Sequence, residues 1–153
     1  AAVGDTLHGF FAADPGPEDA SRSTMASELI DHEGLAGKLA TTTVLAAADR
    51  FRAWLDAHAP GQRLPEWPVR QRLPDGRFLS GDIDLLVAMD GEWLLVDHKS
   101  FPGTAAKRDE RVGGWAAQLG AYKRAVEAAT GLPVREVWVH LPIRGEVVRL
   151  SGV

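Results

Sequence analysis

The chain contains no cysteine. Disulfides, a thiolate zinc site, a cysteine nucleophile and an iron–sulfur cluster are thereby excluded. The absence also fits a reducing compartment, so the cytoplasm is the expected location. Long apolar runs are missing as well: none approaches the length of a membrane span, so no membrane partner is expected, and the first residues lack a secretory signal pattern. No internal repeat or low-complexity tract interrupts the 153 residues, a length that suits one domain with a proper hydrophobic core. Positive charge is in deficit. The net charge of −4 argues against a free-standing, tight binder of nucleic acid, because phosphate binding is driven largely by Lys and Arg. It excludes no more than that, since carboxylates that hold a metal count as negative yet are neutralised when loaded. Apolar content of 45% and charged content of 25% are ordinary for a globular protein.

Helical periodicity opens the chain and alternation follows. Residues 2–13 read as a short helix broken by the stretch 14–17. The polar region 17–41 reads as loop with some helix. Residues 42–58 form a better helix, with Val44, Ala47, Ala48, Phe51 and Leu55 on one face and Pro60-Gly61 ending it. From Leu64 the period changes to two. Strands are expected at 67–73, 77–89 and 92–98, with turns at Pro74-Asp75-Gly76 and Asp90-Gly91. A loop over 100–114 leads into a helix at about 110–130, closed by Gly131 and Pro133. Strands at 134–141 and 146–150 complete an α/β or α+β layer fold.

The Asp90-Gly91 turn sets register. A two-residue Asp-Gly hairpin determines which residues oppose each other. With Met89 opposite Glu92, paired numbers sum to 181, which sets Asp84 opposite Asp97 and Asp82 opposite Lys99. Alternation then places Asp82, Asp84, Leu86, Ala88, Trp93, Leu95, Asp97 and Lys99 on one face, while His98 points the other way. Directly opposed residues have Cβ atoms about 5 Å apart, and two carboxylates near 4 Å repel by about 4 kcal/mol at an effective dielectric near 20. Lys99 offsets part of that repulsion. A hard divalent cation such as Mg²⁺ or Mn²⁺, which favours carboxylates, waters and phosphate, offsets it better.

The stretches Gly81-Asp82-Ile83-Asp84-Leu85-Leu86 and Leu94-Leu95-Val96-Asp97-His98-Lys99-Ser100 resemble the core motifs of the PD-(D/E)xK nuclease superfamily. They are most similar to its RecB/AddA branch, found at the C-termini of recombination helicase–nucleases. Gly4-Asp5-Thr6-Leu7-His8 resembles that branch's N-terminal helix motif ending in a metal-binding histidine. Glu66-Trp67-Pro68-Val69 resembles the strand that leads into its sheet, and Gln118 with Tyr122 resembles its Gln-x-x-x-Tyr motif. The matches run in family order over nearly the whole chain.

The resemblance implies an α/β restriction-endonuclease-like core, with a central mixed sheet flanked by helices. It implies a single nuclease domain over residues 1–153, taken from a larger helicase–nuclease. The implied activity is that of a Mg²⁺- or Mn²⁺-dependent DNA exonuclease working in DNA end processing and recombinational repair, with DNA and helicase motor domains as partners. Asp84, Asp97 and Lys99 would be catalytic. Asp84 and Asp97 would ligate the metal, His8 would complete or support the shell, and the backbone carbonyl of His98 would be a further ligand. Lys99 would position the attacking water and stabilise developing charge. Gln118 and Tyr122 would contact substrate phosphate or hold the site together, and Asp82 would support the ligands. Relatives of the AddB type carry an iron–sulfur cluster on four cysteines, which this chain lacks. Two rival readings are a degenerate nuclease fold used for DNA binding or scaffolding and a restriction-type endonuclease.

Other residues point less sharply. Lys107, Arg108 and Arg111 could guide a phosphate backbone or form a solvated stretch leading into a helix. Trp54, Trp67, Trp93, Trp115 and Trp138 read as core. His32, His58 and His140 show no ligand spacing. Gly34-Leu35-Ala36-Gly37-Lys38 superficially resembles a phosphate loop, but its spacing is wrong and no strand precedes it.

Overall fold

A computed structural model describes residues 2–153. The order is α1 (Ala2–Ala13), α2 (Arg22–His32), α3 (Thr41–His58), β1 (Gln62–Arg72), β2 (Phe78–Met89), β3 (Glu92–His98), α4 (Ala105–Thr130), β4 (Val134–Leu141) and β5 (Glu146–Leu150). The five strands form one sheet in the order β1-β2-β3-β4-β5. Neighbours are antiparallel except β3 and β4, which run parallel. A parallel pair requires a crossover, and α4 supplies it. This is the mixed, helix-flanked α/β sheet expected from the sequence.

Two apolar layers sandwich the sheet. On one side, Leu119, Tyr122, Ala125 and Val126 of α4 pack on Leu86, Leu95, Val137 and Val139. On the other, Phe51 and Leu55 of α3 pack on Leu85, Val87, Leu94 and Val96. A third cluster joins Leu7 and Phe10 of α1 to Ala26 and Ile30 of α2 and Val44 and Ala47 of α3. The face predicted for the 42–58 helix is the buried one. Among the described residues, no helix is long and apolar enough to cross a membrane.

Three boundaries differ from expectation, each for a physical reason. β1 starts at Gln62 rather than 67 and runs through Pro65 and Pro68. It is an edge strand, where one side needs no N–H donors, so proline is tolerated. α4 starts at Ala105 rather than about 110, because the Thr104 side chain caps it by accepting from the Lys107 backbone N–H at 3.4 Å. α2 lies within the polar region 17–41, where only Arg22, Ala26 and Ile30 face inward, too few for a visible apolar period.

The Asp90-Gly91 hairpin forms as predicted. Both residues have positive φ, 50° and 77°, as a type I′ turn requires. Met89↔Glu92 through Leu85↔Val96 all sum to 181. The ladder stops there, one pair short of Asp84 and Asp97.

Candidate active site

Strand alternation breaks at the site. On β2, Ile83 and Leu79 pack with the α4-side core, yet so does Leu86. On β1, Leu64 and Trp67 likewise share that side. A regular strand would turn Ile83 away from Leu86 and Leu64 away from Trp67. The break falls at two adjacent residues on each strand, Pro65-Glu66 and Asp84-Leu85, which turn together toward α1 and α3. The pairing sum of 150 holds on both sides of it, from Leu64↔Leu86 to Trp67↔Ile83. Glu66 accommodates the distortion with a φ of 53°. Two opposed carboxylates, Glu66 and Asp84, are thereby aimed at one point. The expected face is corrected at two residues by the same observation: Asp84 turns with Leu85 rather than with Leu86, and Asp82 is exposed on the face away from α4, so it is not aligned with Lys99.

The third member of the group comes from α1. Gly4 lets the helix approach the end of β3, because a Cβ there would lie 1.9 Å from the Ser100 Oγ. One turn later, His8 Nε2 lies 2.8 Å from Asp84 Oδ1 and 2.9 Å from Glu66 Oε1. The hydrogen bond to Asp84 is the main cause that raises the His8 pKa to about 9, against burial, with the charges of Asp84 and Glu66 adding to it. His8, Glu66 and Asp84 offer three ligand atoms within 4.8 Å of one another. Sequence reasoning assigned Glu66 only to a strand motif. The signal is the register of the first hairpin: the Arg72↔Phe78 pairing, extended along the strands, sets Glu66 opposite Asp84.

Asp97 adjoins this group and is buried. Lys99 Nζ is 2.9 Å from Asp97 Oδ2, close enough for an ion pair. That ammonium is off hydrogen-bond geometry, and no other donor among the described residues reaches the oxygen. Burial, then the charge of Asp84, pushes the Asp97 pKa up to about 6, and Lys99 counteracts only part of this. Asp84 behaves oppositely. Burial alone would raise its pKa, but His8 and the His98 backbone N–H together hold it below the ordinary carboxylate value. Two neighbouring buried carboxyls with opposite shifts and a single ammonium beside one of them are an arrangement that a cation would relieve. The donors, carboxylates with one imidazole, suit a hard divalent ion.

Lys99 Nζ also donates to Gln118 Oε1 at 3.0 Å, which ties the end of β3 to α4. Tyr122, one turn along, is buried with its hydroxyl against the backbone at Gly81. Of the two roles expected for it, burial favours holding the site together. The His98 ring points away from the carboxylates, as expected. It packs against Phe11 and Phe51 and shares a 2.8 Å hydrogen bond with His140 Nδ1. Burial depresses both pKa values, that of His98 to about 4, so the pair is neutral with one ring donating to the other. His140 is thus a built part of the core beneath the site, which its sequence spacing did not show. Lys107 and Arg111 are exposed on α4, whereas Arg108 is held by Asp109 and Glu146.

A family model described as the PD-(D/E)XK nuclease superfamily matches residues 2–151. The chain is also similar to an ATP-dependent helicase/nuclease subunit from Desulforamulus reducens, 33% identical over 94 residues covering 57% of this chain and 7% of that protein. A second relative, the ATP-dependent helicase/nuclease subunit of the same description from Clostridium acetobutylicum, is 31% identical over 74 residues, 48% of this chain and 6% of that protein. The chain spans a small fraction of the length of these relatives.

Proposed function

The chain belongs to the PD-(D/E)XK nuclease superfamily, and from that premise we propose that it is a metal-dependent deoxyribonuclease domain that trims DNA ends by hydrolysing phosphodiester bonds. The observation that carries this reading is the junction of Asp84, held by His8, with Asp97, held by Lys99. Acid pair, histidine and lysine are all present and in reach of one another, which weighs against a degenerate scaffold.

His8, Glu66, Asp84 and Asp97 would hold Mg²⁺ or Mn²⁺, with the His98 carbonyl as a further candidate. Such an ion supplies an activated water and neutralises phosphate oxygens. The residues of the chain do the rest. Asp84 and Asp97 fix charge at the bottom of the site. Lys99 holds an ammonium beside Asp97, where it orients the water and stabilises the charge that develops as the P–O bond to the leaving 3′-oxygen breaks. Gln118 keeps that ammonium from swinging away, and Tyr122 braces α4 against β2. Lys107 and Arg111 would guide the phosphate backbone toward the site. The similarity to helicase/nuclease subunits supports motor domains, in the same chain or a partner, as what delivers DNA, in end processing and recombinational repair within the cytoplasm. The net charge of −4 is consistent with a nuclease that binds DNA with modest affinity by itself.

End-labelled linear DNA and closed circular DNA of the same sequence, incubated with the chain and Mn²⁺, test this reading. Release of short products from the linear form alone is expected. Cutting of the circle would replace the exonuclease with an endonuclease, and no cutting of either form would contradict the nuclease.

A further inference from the structure

Beyond the alternation break, the β1–β2 hairpin continues past the metal-ligand group with one face exposed. Leu79, Gly81 and Ile83 turn toward α4, so Phe78, Ser80 and Asp82 turn the other way, the side on which Glu66 and Asp84 meet His8. Their cross-strand partners are Arg72, Arg70 and Pro68, and all six are exposed. This face holds an uncommon feature: Phe78 is 60% exposed, with the Arg70 guanidinium 5.5 Å from its ring centroid. Charge is concentrated here too. Between residues 68 and 80 there are three arginines and one acid, Asp75, in a chain that is negative overall. Asp75 is taken by Arg77 at 2.7 Å. Arg70 and Arg72 make no ion pair among the described residues. Asp82 is the acid on the face itself, at the end next to the metal-ligand group.

We infer that this hairpin face is a binding platform for single-stranded DNA, with Phe78 stacking on a base and Arg70 and Arg72 holding the backbone that runs to the scissile bond. The inference rests on the nuclease reading and adds to it where the strand lies. An exposed aromatic beside unpaired arginines is the chemistry that single strands select: every base has a π-face, and the guanidinium groups meet phosphates. Phe78 is six residues from Asp84, roughly 20 Å along a strand, or about six stacked nucleotides from the site of cleavage. A sheet face of this kind recognises a single strand better than a duplex, whose bases are not free to stack.

The test is binding of a fluorescein-labelled dT12 strand by anisotropy, with metal chelated so that the strand stays intact. Phe78→Ala is expected to weaken binding on the order of ten-fold, and Phe78→Trp to retain it. The Arg70→Ala/Arg72→Ala double variant is expected to weaken binding and flatten the slope of log K against log salt by roughly 1.4, two contacts at about 0.7 each. A 12-base-pair duplex is expected to bind more weakly than dT12. Binding equal to wild type in all these variants, no binding of dT12 by wild type, or equal affinity for duplex would overturn the platform; unchanged binding would leave the face for another polypeptide. Failure of the nuclease reading looks different: dT12 binding would depend on the hairpin while Mn²⁺ gave no cleavage.

Discussion

Asp84 Oδ2 accepts the backbone N–H of His98 at 2.6 Å, one residue beyond the point where the β2–β3 ladder ends at Leu85↔Val96. A side chain thus takes over from the sheet and holds the two strand ends at the distance the site requires. It also leaves Asp84 Oδ1 to face His8. One carboxylate therefore braces the strand ends and faces the proposed metal position, two duties that substitution can separate. Asp84→Asn keeps a carbonyl oxygen for the His98 N–H, whereas Asp84→Ala leaves that donor without its acceptor at a cost of about 1–3 kcal/mol. Both variants are expected to lose Mn²⁺ binding in calorimetry, but only the alanine variant should lose that much stability in urea unfolding.

Glu66 is the ligand candidate that geometry adds. If Glu66 Oε1 contributes to holding the ion, Glu66→Gln should weaken Mn²⁺ binding about 10- to 100-fold, as loss of a ligand or its close support does. Thermal stability should barely move, since the Glu66 side chain is 43% exposed. Unchanged Mn²⁺ affinity would restrict Glu66 to orienting His8 through their hydrogen bond.

Lys99 is expected to act on rate rather than on metal. Lys99→Met removes the ammonium beside Asp97 and its bond to Gln118. Loss of one such stabilising group lowers turnover by about 10²–10³-fold. Calorimetry should show Mn²⁺ still binding, which separates this variant from those at Asp84.

Acid stability should depend on Asp14, which lines the same cavity as Asp84 but is outside the His8–Glu66–Asp84 group. Its carboxylate is buried and receives Arg22 Nε at 2.8 Å and Nη2 at 2.9 Å, with Arg52 at 3.4 Å. Burial alone would raise its pKa, but Arg22, the Gly16 N–H and the Arg52 charge outweigh it and leave the pKa below 3.8. A folded-state value below the unfolded one adds stability at pH above the unfolded pKa, and this is lost as pH falls through the folded value. Asp14→Asn should therefore cost roughly 3 kcal/mol at neutral pH, because Arg22 keeps only Asp49. The gap from wild type should narrow below about pH 4. Urea unfolding at pH 7, 4 and 3 checks this.

Much of the site was legible from one turn. The Asp90-Gly91 hairpin has a register that two residues dictate, so the approach of Asp84 to Asp97 followed by counting. The face of α3 was legible for a similar reason, since five apolar residues recur at helical spacing. Asp82 was misread because counting assumes unbroken alternation, which fails at Asp84-Leu85, and Glu66 was missed because the expected strand began at 67, one residue past it. His140 was missed for a related reason: its partner, His98, is 42 residues away, and only the parallel β3–β4 register brings the two together. Long-range pairing of that kind leaves no local pattern to read.

Cleavage by wild type and by Asp97→Asn, with Mn²⁺ saturating wild type, tests the metal-dependent nuclease centre most directly. Asp97→Asn removes the charge of the buried carboxyl while keeping its shape, so it should fold. Wild type should degrade end-labelled DNA in Mn²⁺ and not in EDTA, and the variant should be slower by about 10³-fold or more. Equal degradation by the two proteins, or intact DNA with wild type fully loaded with metal, would contradict the assignment.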